Sequence, residues 1–130
     1  MVATQHPDLV NCVVAYSPAV NDDPATVPGH IASFAQVAPT YTGPNALDIV
    51  SPNTAPTLSF TGGQYDMPGF GNAAIEFGNA LQSNGVNGGT IVVKPAQGYS
   101  GNIHGEAMTS NGFESQTLQP TLNFLAANQR

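Results

Sequence analysis

The chain has 130 residues, which suits one domain over residues 1–130, and carries a net charge of −6 with only two Lys or Arg residues. Nucleic-acid binding and docking on anionic membranes both need clustered cations, so the composition argues against both. Hydrophobic residues make up 41% of the chain and charged residues only 8%. We therefore expect a folded protein with an uncharged polar surface, a composition that favours a secreted or periplasmic origin.

Cys12 is the only cysteine, so an internal disulfide is excluded. No apolar run approaches the roughly 20 residues that a membrane helix needs. Neither a Cys/His cluster nor a calcium-loop spacing is present, and we expect no metal and no other cofactor. Residues 1–6 read as the last turn of a helix that Pro7 ends, which favours a chain that is half of a larger fold.

Residues 10–17 form a nearly continuous apolar run that Pro18 ends. Such a run predicts a strand that is buried on both faces, as in a parallel sheet. Residues 21–56 are rich in proline and predict a long, lid-like loop with at most a short helix over residues 31–36. A loop of this length within a domain is usually functional or disordered.

The rest of the chain alternates between strands and helices. We expect strands over residues 57–61 and 90–94, helices over residues 72–84 and 116–128, and an irregular segment over residues 95–112. The last helix carries Leu118, Leu122 and Leu125 on one side. Alternating strands and helices predict an α/β fold in which helices cover both faces of a parallel sheet, a three-layer α/β/α arrangement.

Three segments carry a recognisable pattern: HPDLVNCVVAYSP at residues 6–18, APTLSFTGGQYDMP at residues 55–68, and IVVKP at residues 91–95 followed by Asn102-Ile103-His104-Gly105. Together they resemble esterase-type α/β-hydrolases, most closely the dienelactone-hydrolase, feruloyl-esterase and acetyl-esterase branch. The resemblance covers nearly the whole chain and corresponds to the C-terminal half of that fold. It implies that Asp66 is the acid and His104 the base of a Ser-His-Asp triad.

The positions of these two residues support the assignment independently. Asp66 follows the second predicted strand through the Gly62-Gly63 turn, and His104 follows the third. Because open α/β sheets bind ligands at the carboxyl ends of their strands, both side chains should reach one rim. Asp66 before His104 also matches the Ser, Asp, His order of this fold. The plainer alternatives are that Asp66 is a turn former and that His104 is a solvated loop residue.

The nucleophile is missing from the pattern, because no G-x-S-x-G motif is present. The resemblance implies that the motif and the oxyanion loop lie upstream of Met1, so this chain alone should be a poor hydrolase. Ser17 ends the first strand at the correct rim and is the first substitute nucleophile to consider. Ser100, in a glycine-flanked loop near His104, is the second.

The resemblance implies a small-molecule carboxylic ester as the substrate, with Phe34, Tyr41 and Leu47 as candidate pocket residues by position. The first strand should be central in the complete fold, so its free edge predicts a homo-oligomer or a partner chain. Two alternatives stay open. One is a non-catalytic truncated α/β domain that assembles with itself or with a missing N-terminal half, and the other is a small secreted binding module of unrelated fold.

Overall fold

A computed structural model describes residues 2–20, 45–110 and 112–129 of the chain. Within these ranges the strands form one parallel sheet in the order β1 (Val13–Tyr16), β2 (Thr57–Thr61), β3 (Gly88–Val92). The helices are α1 (Val2–Gln5), α2 (Phe70–Ser83) and α3 (Glu114–Ala127), with 3-10 helices over Pro7–Leu9, Leu47–Ile49, Gly63–Tyr65 and Gly105–Thr109. The prediction of an α/β protein with a parallel sheet is therefore confirmed.

The strand ends differ from the sequence prediction for reasons of hydrogen bonding and space. β1 begins at Val13, whose N–H donates to the Pro56 carbonyl at 2.8 Å. Pro56 has no N–H to return, so the ladder does not extend further toward residue 10. β3 spans Gly88–Val92, two residues earlier than predicted at both ends. Gly88 pairs with Thr57 at φ +129°, where a Cβ would collide with the Thr57 carbonyl, so glycine allows the strand to begin there.

β2 is the central strand, and all five of its residues are buried. Its side chains alternate between the two faces of the sheet, so Leu58 and Phe60 share one face. They belong to a core cluster with Val93, Ile103, Met108 and Phe113. A second cluster is formed by Val20, Ala46, Ala73, Phe77, Leu81 and Val86. Burying side chains such as Phe60 and Phe77 contributes about 2–3 kcal/mol each. The first cluster therefore stabilises the sheet against the segments that follow β3, and the second stabilises the packing of α2.

Small residues let α2 approach the sheet closely. Gly78 lies against Thr90, where an added Cβ would be 2.7 Å from the Thr90 backbone nitrogen. The Thr90 hydroxyl donates to the Ala74 carbonyl and lies 2.6 Å from the Ser59 hydroxyl. Polar side chains on this side of the sheet are therefore satisfied by α2 and by each other.

α3 contacts the sheet through the side adjacent to its leucine stripe, about 100° around the helix from it. The Tyr16 and Thr121 hydroxyls are 2.9 Å apart, and Thr117 is buried. The predicted stripe, by contrast, faces outward in the described part of the chain: Leu118, Leu122 and Leu125 are 57%, 50% and 38% exposed. The periodicity located the leucine stripe, but the adjacent side of the helix makes the packing. No helix of the described residues is long and apolar enough to span a membrane.

The predicted loop over residues 21–56 is described only from residue 45 onward, and the short helix expected over residues 31–36 lies outside the described residues. The described portion contains the 3-10 helix Leu47–Ile49, and Thr54 and Ala55 are buried. Ala55 donates its N–H to the Ala3 carbonyl at 2.9 Å, which ties α1 to the start of β2. This part of the segment is therefore packed against the fold.

The close contact between α2 and the preceding turn gives a testable prediction. Gly71 is buried in the first turn of α2, and a Cβ there would overlap the Gly63 carbonyl group. Alanine is the better helix former by about 1 kcal/mol, yet we expect Gly71→Ala to lower the free energy of unfolding by about 1–3 kcal/mol because backbone must move. Urea unfolding followed by circular dichroism measures it.

Asn79→Ala on the exposed side of α2 is the matched control, because it tests helix propensity without a clash. It should leave stability within about 0.5 kcal/mol of wild type. Equal stability of Gly71→Ala and Asn79→Ala would contradict the close approach.

Candidate acid–histidine site

Asp66 is carried by a tight turn that follows β2. The 3-10 helix Gly63–Tyr65 closes with Tyr65 N–H on the Gly62 carbonyl at 3.0 Å and Asp66 N–H on the Gly63 carbonyl at 3.1 Å. Gly62 has no room for a side chain, because a Cβ would lie 2.7 Å from the Ile103 Cβ. Gly63 adopts φ +59°, a conformation that glycine reaches without strain. The Gly-Gly pair thus allows the turn to reverse the chain against the segment carrying His104.

The Asp66 carboxylate is fully buried and accepts five hydrogen bonds. Oδ2 accepts from the Ser17 hydroxyl at 2.9 Å, the Thr61 hydroxyl at 2.6 Å and the Gly62 N–H at 3.1 Å. An ionised carboxylate only accepts hydrogen bonds, and burial of its charge is costly unless donors surround it. The donor set around Asp66 therefore fits a negatively charged side chain.

The second oxygen of Asp66 holds the imidazole. Oδ1 accepts from the Met67 N–H at 2.8 Å and lies 2.6 Å from His104 Nδ1. Because the carboxylate can only accept, the proton of this bond is assigned to Nδ1. In the neutral ring Nε2 then carries the lone pair, the arrangement that a general base requires.

Packing fixes the orientation of the His104 ring. Ile103 is fully buried, and its N–H donates to the Tyr65 carbonyl at 2.8 Å, so the histidine segment is bonded to the Asp66 turn. The Phe70 ring meets the imidazole edge-on, with centroids 4.8 Å apart. The His104 side chain is 33% exposed. The buried acid and the partly open base are therefore brought to one rim, where the sequence predicted that they would meet.

Ser17 joins the same cluster, but through the acid and not through the base. It lies just after β1, is 6% exposed, and its N–H donates to the Phe60 carbonyl at 2.8 Å. Its hydroxyl donates to Asp66 Oδ2 and accepts the Gly105 N–H at 3.0 Å. A serine hydroxyl has one proton, and here that proton points at the carboxylate. The nucleophile role considered for Ser17 stays a prediction.

The other candidates of the sequence analysis lie apart from this cluster or outside the described ranges. Phe34 and Tyr41 lie outside the described residues. Leu47 packs against the core cluster that contains Phe77, and its N–H donates to the Val20 carbonyl at 3.1 Å. Ser100 is exposed. In the parts of the chain that the structure describes, no group of three or more His, Cys, Asp or Glu could hold a metal ion.

Sequence reasoning missed the residues that support the acid. Thr61 and the backbone N–H groups of Gly62 and Met67 all donate to Asp66. The one sequence signal was a hydroxyl residue, Thr61, at the end of the predicted strand next to the Gly-Gly pair. Backbone donors have no sequence signature, since any residue except proline supplies one.

A groove of about 490 Å³ lies on the β3 side of the Asp66 turn. Its walls include Tyr65, Ile75 and Val92, and Lys94 lies at its border. Asp66, His104 and Ser17 are not among its lining residues. The groove therefore borders the turn that carries the acid, beside the acid–histidine pair.

The donor set around Asp66 predicts a large effect of removing its charge. In Asp66→Asn, an NH₂ group replaces either Oδ1 or Oδ2. The donors that bond to the replaced oxygen then lose their acceptor. We expect the free energy of unfolding at neutral pH to fall by about 3 kcal/mol, measured by urea unfolding.

The control for this variant is Asp8→Asn, because Asp8 is exposed and the same charge is removed. It should change stability by less than about 0.5 kcal/mol. If the two variants unfold alike, the Asp66 hydrogen bonds do not stabilise the fold.

Comparison with family models, with curated proteins and with solved structures finds no match to this chain. The comparisons therefore assign neither a family nor an activity.

Proposed function

We propose that Asp66 and His104 are the acid and the general base of a serine-hydrolase-type carboxylic ester hydrolase of the α/β-hydrolase kind. The observation that carries the proposal is the 2.6 Å contact between His104 Nδ1 and Asp66 Oδ1, made by a fully buried carboxylate and a 33% exposed imidazole. Esterase chemistry needs this combination, since the acid must hold the ring while Nε2 stays open to a reacting group.

The chemistry would run through Nε2 of His104. The ring accepts the proton of a nucleophilic hydroxyl as that oxygen attacks the ester carbonyl, and then gives the proton to the departing alcohol. Asp66 stabilises the imidazolium that forms between these two steps. After acyl transfer, the same base deprotonates a water that attacks the acyl group. It then returns this proton to the nucleophile oxygen as the carboxylic acid leaves, so the protein ends in its starting state.

The nucleophile of the proposed reaction would come from a strand added to the free edge of β1. In a parallel ladder, alternate residues direct their backbone groups to opposite sides. Val13 and Ser17 bond to β2, so Val14 and Tyr16 direct theirs away from it. No described strand pairs with that side. A strand paired there would run about 4.8 Å from β1, and in parallel orientation would end at the rim where His104 lies.

The proposed fold is a three-layer α/β/α arrangement, and the added strand would extend its sheet beside β1. Two observations support it. α2 packs on the side of the sheet where Ser59 and Thr90 lie, through Gly78 and the Ala74 carbonyl. Leu58 and Phe60 point to the opposite face by alternation, and their cluster includes Phe124 of α3.

A non-catalytic domain that assembles through the β1 edge is the second candidate. Two observations favour it: the printed sequence has no G-x-S-x-G motif, and the proton of Ser17 is given to Asp66 instead of the base. The two candidates share the β1 edge and differ in whether His104 reacts.

Removal of the imidazole tests the enzymatic proposal. With p-nitrophenyl acetate as an activated ester, His104→Ala should cleave at least about tenfold more slowly than wild type, because general-base catalysis typically contributes a factor of at least 10². The release of p-nitrophenol is followed by absorbance, and circular dichroism confirms that the variant is folded.

His6→Ala is the control, since His6 is also a histidine but is exposed; it should react like wild type. Equal rates for wild type, His6→Ala and His104→Ala would rule out a catalytic His104. A fluorophosphonate probe adds the second measurement. Labelling of one serine that is lost in His104→Ala supports the serine mechanism, whereas neither labelling nor turnover supports the non-catalytic candidate.

The free edge predicts self-association or capture of a partner strand. We expect wild type to sediment as a dimer or larger species at high micromolar concentration. Val14→Pro removes an N–H that points away from β2, so the internal ladder is kept while edge pairing is blocked. This variant should sediment as a folded monomer. A wild-type chain that stays monomeric at this concentration would contradict pairing between copies.

A further inference from the structure

We propose that Ser17 is a positioning residue, which binds the Asp66 carboxylate and the His104 segment together. Its hydroxyl donates to Asp66 Oδ2 at 2.9 Å and accepts the Gly105 N–H at 3.0 Å. One oxygen atom thus connects the end of β1, the turn after β2 and the loop after β3. The inference rests on the proposed function of the acid–histidine pair.

Apart from His104 itself, the other donors to Asp66 cannot make this connection. Thr61, Gly62 and Met67 belong to the same turn as the acid, so their hydrogen bonds fix the carboxylate only relative to its own segment. Among the described donors, Ser17 reaches Oδ2 from 49 residues away in the chain. Its hydroxyl also bonds to the residue that follows His104. Loss of the hydroxyl would remove the side-chain link from the end of β1 to both segments.

The backbone of Ser17 indicates that the hydrogen bonds hold a strained conformation. Ser17 has φ +47° and is the one non-glycine residue with positive φ in the described part of the chain. A left-handed conformation is unfavourable for a serine and persists only where the surroundings enforce it. A glycine would remove this strain, but it would lose both hydrogen bonds. The strain and the hydroxyl can therefore be separated by substitution.

The hydrogen bonding also separates positioning from nucleophilic attack. The single hydroxyl proton lies toward a carboxylate oxygen that is buried and shared with two other donors. Nε2, the atom that removes a proton from a nucleophile, lies across the imidazole ring from the Asp66 contact. Ser17 therefore acts on the base through the acid, by keeping Oδ1 aligned with Nδ1.

The experiment compares Ser17→Ala with Ser17→Gly, with Ser115→Ala on the exposed side of α3 as the control. The readout is the proton NMR signal of His104 Nδ1–H and its exchange rate with water, which report the Asp66 contact directly. We expect both Ser17 variants to exchange this proton at least about tenfold faster than wild type, as expected for the loss of a hydrogen bond to a charged group. Ser115→Ala should match wild type.

Two comparisons keep positioning apart from general stability. Ser17→Gly relieves the strain of positive φ, so it should unfold at higher urea concentration than Ser17→Ala. If Nδ1–H exchange is nevertheless equally fast in both, the hydroxyl and not overall stability controls it. Wild-type exchange rates in both Ser17 variants would overturn the proposal. A fluorophosphonate adduct on Ser17 would also overturn it, because the residue would then be the nucleophile.

Failure of this proposal is distinguishable from failure of the proposed function. Unchanged exchange in the Ser17 variants, together with a slow His104→Ala variant, would reject Ser17 as a positioning residue and keep the acid–base pair. Fast exchange in the Ser17 variants, together with an unimpaired His104→Ala variant, would keep the hydrogen-bond network and reject the hydrolase.

Discussion

The Asp66 carboxylate is buried, and the segments around it are arranged so that five donors reach its two oxygens. A carboxylate removed from water is unfavourable without such compensation. Three of these donors belong to the segment that carries Asp66, namely the last residue of β2, the Gly-Gly turn and Met67, whereas Ser17 brings in the end of β1. The imidazole of His104 completes the set and brings in the segment that follows β3.

Close backbone approaches make this arrangement possible. Gly62 fits beneath Ile103, and Gly71 fits against the Gly63 carbonyl, so the acid turn is enclosed by the histidine segment and by α2. Phe70, the first residue of α2, then contacts the His104 ring. The orientation of the base is thus determined by packing as well as by its bond to Asp66. A site built in this way is preorganised, because little side-chain freedom is left to lose when a reactant arrives.

The β1 edge of the sheet lies near the site and has no pairing partner among the described strands. β1 is half-buried along its whole length, whereas β2 is buried at every residue. Its outward backbone groups and the carboxyl end beside Ser17 face a region that no described strand occupies. The Asp66–His104 pair lies at the carboxyl ends of β2 and β3, near an edge of β1 with which no described strand pairs. In the proposed function, a strand that pairs along this edge would supply the nucleophile.

The amino-acid sequence by itself determined the local elements and the rim on which the site lies. Runs of strand-forming residues that end at proline or glycine located β1 and β2, and helical periodicity located α2 and α3. Because strands and helices alternate along the chain, the strands were predicted to be parallel. Parallel strands end at a common edge, so Asp66 and His104 were expected to meet there. That expectation needed only the order of the elements, which is why it survived errors of two or three residues in the strand ends.

Tertiary structure alone decided which atoms meet at that rim. Ser17 and Asp66 are separated by 49 residues, and Asp66 and His104 by 38, so no local pattern relates their side chains. The sequence predicted Ser17 at the same edge of the sheet as Asp66 and His104. Only the packed strands show that the Ser17 hydroxyl donates to Asp66 and not to His104. The same holds for α3, whose leucines are exposed while Thr117 is buried. Local periodicity fixes a side of a helix, whereas the choice between sides depends on the partner surface that the rest of the chain provides.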